Sequence, residues 1–240
     1  MIGTYLNVVA ILIGGAAGMS RKTVFTTAQQ NYLKLGLGAA TALFGLYLTW
    51  ISLEGFLTQK LKLLGIVLLA LMAGKITGQI LHLQKASNAL GQLARDKIAA
   101  AQPGSPDRFT DGFRVCTILF CAAPLGFIGA VQEGLSNYFA PLALKGVMDG
   151  LAVMGFVSIF GGGVMLSAVP VLVFQGTVTL VCTRFLLPFL QTHHLVDPVN
   201  ATGGLLIFSV ALILLEIKRV EVTDYLPSLG YAPLFAWLLL

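Results

Sequence analysis

The 240-residue chain is 57% apolar, has a mean hydropathy of +0.87 and carries only 10% charged residues, with a formal net charge of +5. A soluble domain usually holds about 25% charged and about 45–50% apolar residues, and an excess of this size cannot be hidden in one core. The composition disfavours a soluble domain, a disordered chain and a disulfide scaffold. It points to an all-α, polytopic transmembrane helix bundle whose first partner is the lipid bilayer.

A helix that crosses the ~30 Å hydrocarbon layer needs about 17–25 residues. Taken in order, the apolar segments are 3–19, 35–52, 61–84, 113–133, 142–160, 166–190 and 203–217, with a weaker one at 226–240, so seven or eight helices in a single transmembrane domain, 1–240. These segments hold 154 residues and only 8 charges, while the other 86 residues hold 17. Lys62, Arg114, Glu133 and Glu216 sit within two residues of a segment end, where headgroups solvate charge. Lys75, Lys145, Asp149 and Arg184 lie deeper.

The first segment is not read as a signal peptide, because no Lys or Arg precedes Arg21 and the basic pair Arg21-Lys22 follows it. Placing the N-terminus outside makes loops 20–34, 85–112, 161–165 and 218–225 cytoplasmic. Those loops contain nine Lys and Arg residues, and the outside loops contain only Lys60. This satisfies the positive-inside rule. The basic excess belongs to these scattered loops and forms no face for nucleic acid. The stretch 85–112 reads as a cytoplasmic linker, with a short surface helix over 86–102 that Pro103 to Asp107 stop.

Glycine is abundant, with 27 residues. Gly3, Asn7, Gly14 and Gly18 recur along one face of the first helix, and Gly74-x-x-x-Gly78 and Gly146-x-x-x-Gly150 have the small-xxx-small spacing of close helix packing. These faces permit a homodimer. Gly161-Gly162-Gly163, followed by Pro170, reads either as a tight cytoplasmic hairpin or as a hinge in a broken helix near a solute site. Residues 35–52 and 203–217 both begin with glycine pairs and run in opposite directions, the pattern of an inverted repeat of three-helix units.

Lys145 and Asp149 are four apart on one helical face. A charge in the bilayer core costs roughly 2.5–3.5 kcal/mol on insertion scales. The two therefore form either a neutralised structural pair or a solute or ion site. Arg184 and Lys75 are further charged candidates, and Asn7, Gln175 and Ser167 are uncharged ones. The four deep charges sum to +2, which favours an anionic solute if they converge. Cys116, Cys121 and Cys182 read as packing residues, His82 as interfacial, and His193-His194 as a poor metal pair. The sequence offers no metal site, no cofactor site and no catalytic signature such as a Walker A loop, so an enzyme is not expected.

The opening Gly3-Thr4-x-x-Asn7-x-x-x-Ile11-x-x-Gly14-Gly15-x-x-Gly18 resembles the start of the domain-of-unknown-function 554 family of bacterial inner-membrane proteins. So do Phe120-Cys121, Pro124, Gly126, Gly129, Gly134-Leu135, Lys145 and Asp149-Gly150, and later Ser167-Ala168, Gln175-Gly176, Gly203-Gly204 and Leu226-Pro227. Ala122-Ala123, Gly146 and Asn137 depart from the glycine, serine and aspartate usual in that family. The resemblance implies a polytopic membrane protein described as a transporter with no settled substrate. The expected function is therefore a secondary transporter or channel for a small solute or ion. A non-transporting scaffold is the alternative, and convergence of Asn7, Lys145, Asp149 and Gln175 on one place discriminates the two.

Overall fold

A computed structural model describes residues 1–20, 25–101 and 107–239, and among them it contains helices and no strand. The helices are α1 (Ile2–Ser20), α2 (Thr27–Ile51), α3 (Leu57–Ile80), α4 (Leu83–Ala100), α5 (Arg108–Ala122) and α6 (Pro124–Ser136). They continue with α7 (Ala140–Phe160), α8 (Ala168–Val181), α9 (Leu187–Thr192), α10 (Val196–Leu214) and α11 (Ser228–Leu239). The all-α bundle expected from composition is the observed architecture. Arg21, Lys22, Gln102 and Pro103 to Pro106, which the sequence places in loops, lie outside the described residues, as does Leu240.

Local chemistry explains where the helices start earlier than hydropathy alone suggests. At α2, Gln29 N donates to Thr26 Oγ1 at 3.4 Å and Thr26 N donates to Gln29 Oε1 at 3.0 Å, a reciprocal cap eight residues ahead of the apolar run. At α10, Pro198 sits in the first turn, where its missing N–H has no partner to lose, and Asp197 complements the positive end of the helix. The surface helix is α4. His82, at φ 54°, separates it from α3, and Gln84 N donates to Asp224 Oδ1 at 2.7 Å while Thr223 N donates to Gln84 Oε1 at 3.1 Å.

Among the described residues, five helical stretches are long and apolar enough to cross a membrane, and α5 with α6, bent by 57° at its break, makes a sixth if the pair is one span. The longest stretch, 140–192, is not straight. Lys145 and Gln175 both approach Gly126, so the chain reverses between them through the 3₁₀ segment Gly161–Ser167. Of the two readings of the triple glycine, the tight hairpin is the observed one. Gly161 adopts φ 73°, and a Cβ on Gly163 would lie 2.1 Å from the Phe109 carbonyl oxygen. Pro170, in the first turn of α8, displaces no helical hydrogen bond. Arg108 closes the corner by donating to the Ser158 and Ile159 carbonyls at the end of α7.

The helix that is broken is a different one. The reading of 113–133 as one continuous span is corrected to α5 plus α6, interrupted at Ala123-Pro124. Ala123 is extended, as the residue before a proline prefers, and Pro124 opens α6.

Helix directions alternate as the segment order requires. Gly14 meets Gly150 and Gly18 meets Met154, so α1 and α7 are parallel. Gly45 meets Gly204 while Gly38 meets Leu215, so α2 and α10, the segments compared as repeat partners, are antiparallel. Gly74 and Gly78 admit the backbone at Ser228 and Asp224, which joins α3 to the short turn before α11. At 12 residues, α11 is too short to span alone. Between α2 and the turn after α10, Lys34 bonds Glu216 and holds that exposed carboxyl below the usual carboxylate range.

Large apolar side chains are exposed all round the bundle, among them Ile13, Leu43, Met72, Val173 and Phe185. Trp50, with the Lys60 ammonium 5.0 Å from its ring, and Trp237, 6.5 Å from the His193 ring, mark one end. Tryptophan concentrates at membrane interfaces in this way.

Candidate functional site

The site is assembled where α1, α6, α7 and α8 meet. Spacing of four puts Lys145 and Asp149 one above the other on the inner face of α7. Lys145 is 2% exposed and Asp149 6% exposed, and they are ion-paired and hydrogen-bonded. The Lys145 ammonium also lies 5.6 Å from the centre of the Phe120 ring, a cation–π contact from the end of α5.

Asn7 on α1 reaches this pair because Gly146 has no side chain: a Cβ there would stand 2.9 Å from Asn7 Cα. Fully buried, Asn7 donates through Nδ2 to Gln175 Oε1 of α8 at 3.3 Å. Gln175 is also fully buried. On α6, Gly126 opens room for the cluster, since a Cβ there would lie 2.8 Å from Lys145 Cε and 3.4 Å from Gln175 Nε2. Four side chains separated widely in sequence thus converge on one sealed polar core.

Two polar atoms of that core have no hydrogen-bond partner, Asn7 Oδ1 and Gln175 Nε2. A buried unpaired donor or acceptor costs about 1–3 kcal/mol. The cluster is therefore equipped for contacts beyond those it makes internally. Among the described residues, a groove lined by Phe127, Leu186 and Trp237 and another lined by Phe25, Met148 and Leu214 are mostly apolar and do not include the four polar residues.

The remaining candidates lie elsewhere. Lys75 is half-buried on α3 with its ammonium 5.4 Å from the Tyr225 ring. Arg184 is exposed within a π-turn at Cys182–Leu186. Buried Ser167 donates to the Val164 carbonyl at 2.6 Å and closes the hairpin corner with Gly161, Gly162 and Gly163. The four deep charges therefore do not share a site. The pair that does is formally neutral, which removes the charge-sum basis for an anionic solute.

Glu133 is a correction. It is not a headgroup-solvated terminal residue, because α6 continues to Ser136, and it is 2% exposed. Its carboxylate accepts from Gly3 N at 2.5 Å, Thr4 N at 3.3 Å and Thr4 Oγ1 at 3.0 Å, so it caps the positive end of α1. The signal available in sequence was Pro124, which moves the helix start and carries Glu133 inward with the rest of α6. Its neighbour Gln132 is fully buried against α10, where a Cβ on Gly203 would strike its Nε2. Neither amide atom of Gln132 has a partner, nor has Oδ1 of buried Asn200, one turn from Gly203.

Comparison with known proteins agrees with this membrane architecture. Residues 2–237 match the family described as "Protein of unknown function (DUF554)". The chain is 28% identical over 233 residues to the "Uncharacterized membrane protein YdfK" of Bacillus subtilis (strain 168), covering 97% of this chain and 94% of that protein. It is 27% identical over 230 residues to the "Uncharacterized protein YqgA" of Escherichia coli (strain K12), covering 95% and 93% respectively. No solved structure matches. A family match over nearly the whole length, together with helices apolar enough to span a bilayer, places this chain in the DUF554 family, as a multi-pass membrane protein.

Proposed function

We propose that the protein is a secondary transporter or channel that passes a small solute or ion through the centre of the bundle, with Lys145 and Asp149 exchanging partners as it moves. The observation that carries this reading is the convergence of Asn7, Lys145, Asp149 and Gln175 from three helices into one core with unpaired polar atoms. Gln132 and Asn200 also leave amide atoms unpaired, so the convergence on a buried ion pair, rather than the unpaired atoms alone, favours transport over helix glue. The interrupted α5–α6 span beside the cluster supports the same reading, since broken helices in transporters expose backbone groups only where a cavity or protein satisfies them.

Reconstituted into liposomes, the wild-type protein is expected to take up its solute. Asp149→Asn is expected to lose most of that uptake, compared on the folded, monodisperse fraction because it too leaves Lys145 without an anion. Asn preserves size and a hydrogen bond but cannot release a positive partner. Full uptake by Asp149→Asn removes the proposed role and favours the scaffold reading.

We propose further that the end of the bundle bearing α4 and the Gly161–Ser167 corner faces the cytoplasm, with the N-terminus outside, in a bacterial inner membrane. The charge distribution supports this, as Lys85, Arg95 and Lys97 on α4 and Arg108 at the start of α5 lie at that end. In a background without native cysteines, Asn88→Cys on α4 is expected to react with a membrane-impermeant maleimide only after permeabilisation. Thr192→Cys is expected to react in intact cells. The reverse pattern inverts the topology.

A further inference from the structure

Resting on the transport reading, we propose that the central cluster binds a zwitterionic solute of the α-amino acid type, with its carboxylate at the N-terminus of α6 and its ammonium group at Asp149. The carboxylate end is built by three independent features. The first is the start of a 13-residue helix after the break at Ala123, where the helix dipole is positive although Pro124 has no N–H and the Gly126 N–H donates to the Ala123 carbonyl at 3.0 Å. The second is Lys145, buried, whose stem fills the space a Gly126 side chain would take, a Cβ there lying 2.8 Å from its Cε, and whose ammonium is paired with Asp149. The third is Gln175 Nε2, a fully buried donor without an acceptor, 3.4 Å from where a Gly126 Cβ would be. Helix terminus, lysine stem and amide donor meet at Gly126 of α6.

The ammonium end follows from the other half of the cluster. Asp149 lies on the α7 face that packs against Asn7 across Gly146, and Asn7 Oδ1 is an acceptor without a donor. The unpaired atoms therefore supply one additional donor and one additional acceptor.

Charge balance selects the solute class. Lys145 and Asp149 neutralise each other in the sealed core. A simple anion that took Lys145 would leave Asp149 as an uncompensated buried charge, and a simple cation that took Asp149 would leave Lys145 so. Both are strongly disfavoured inside a membrane protein. A zwitterion inserts between the two and gives each a partner, with net charge unchanged throughout.

The test uses the full-length protein in lipid nanodiscs. A panel of α-amino acids is measured by ligand-induced thermal shift, each against its deaminated carboxylate and its decarboxylated amine, as alanine against propionate and ethylamine. At least one amino acid is expected to bind, and both matched compounds to bind at least about tenfold more weakly, as losing one charge-assisted contact implies. Gln175→Glu, which puts an anion where the carboxylate would sit, is expected to weaken amino acid binding by a similar factor. If no amino acid binds, or if the carboxylate or amine alone binds as well, the zwitterion site is overturned, and this result needs no variant to fold. Asp149-dependent uptake of a different solute class overturns this inference and leaves the transport reading standing. Amino acid binding without any uptake supports the site and removes the transport reading.

Discussion

Asp149→Leu is expected to destabilise the protein by about 3–5 kcal/mol, the cost of leaving one member of a buried ion pair uncompensated. Lys145 is then held in the core of the bundle with Phe120 against its charge and no anion beside it. Lys145→Met alone is expected to cost a similar amount through the stranded carboxylate. The double variant Lys145→Met/Asp149→Leu is expected to recover most of the loss, to within about 1 kcal/mol of wild type, because apolar side chains of similar volume replace buried pairs at little net cost. Unfolding in detergent micelles, followed by circular dichroism against increasing denaturant, reads all three. The double variant also separates stability from function, since it is expected to be folded and inactive. Equal destabilisation of the double and single variants would show that the residues do not act as a pair.

Gly14→Ala is expected to cost about 2–3 kcal/mol, at the upper end of ordinary overpacking. A Cβ at Gly14 would lie 2.1 Å from the Gly150 carbonyl oxygen, a backbone atom that cannot rotate away. The seam must open along its length to relieve this, and with it the approach that brings Asn7 to Asp149. Gly36→Ala and Gly155→Ala are the matched controls, because a Cβ at either meets nothing within 4 Å. Both are expected to be neutral or up to about 1 kcal/mol more stable, from the gain in helix propensity. Thermal unfolding of the three variants side by side checks the prediction. Equal melting temperatures would mean that α1 and α7 do not pack as closely as described.

Hydropathy was sufficient for α1, α7 and the body of α10, because a membrane-crossing helix needs a long apolar run whatever it packs against. The segment 61–84, by contrast, starts after Leu57 and runs past Ile80 across the break at His82. Helix starts were less legible where side-chain chemistry sets them, as Thr26 with Gln29 does for α2 and Pro198 does for α10. The break at Ala123-Pro124 was written in the sequence, but the apolar run through 113–133 masked it, and Glu133 was consequently assigned to the interface. The identities of Asn7, Lys145, Asp149 and Gln175 stood out as polar groups in apolar helices. Their meeting did not, because it depends on which helix each glycine face chooses as its partner. Periodicity at Gly3, Gly14 and Gly18 and at Gly146 and Gly150 identifies two smooth faces, but not that they fit each other. The same limit applies to Lys75 and Arg184, which are equally conspicuous in sequence and lie outside the cluster.

The parallel seating of α1 on α7 also sets a schedule for biosynthesis. Gly14 and Gly150 are at opposite ends of the first 150 residues, and chains are elongated at roughly 5–20 residues per second. For on the order of ten to thirty seconds the first helix therefore waits in the bilayer with its glycine groove and the Asn7 amide unmatched. Glu133, which will anchor its leading end, arrives only shortly before its partner helix does. The heart of the molecule closes late, around a helix made first, and until then that helix depends on lipid or on the insertion machinery for company.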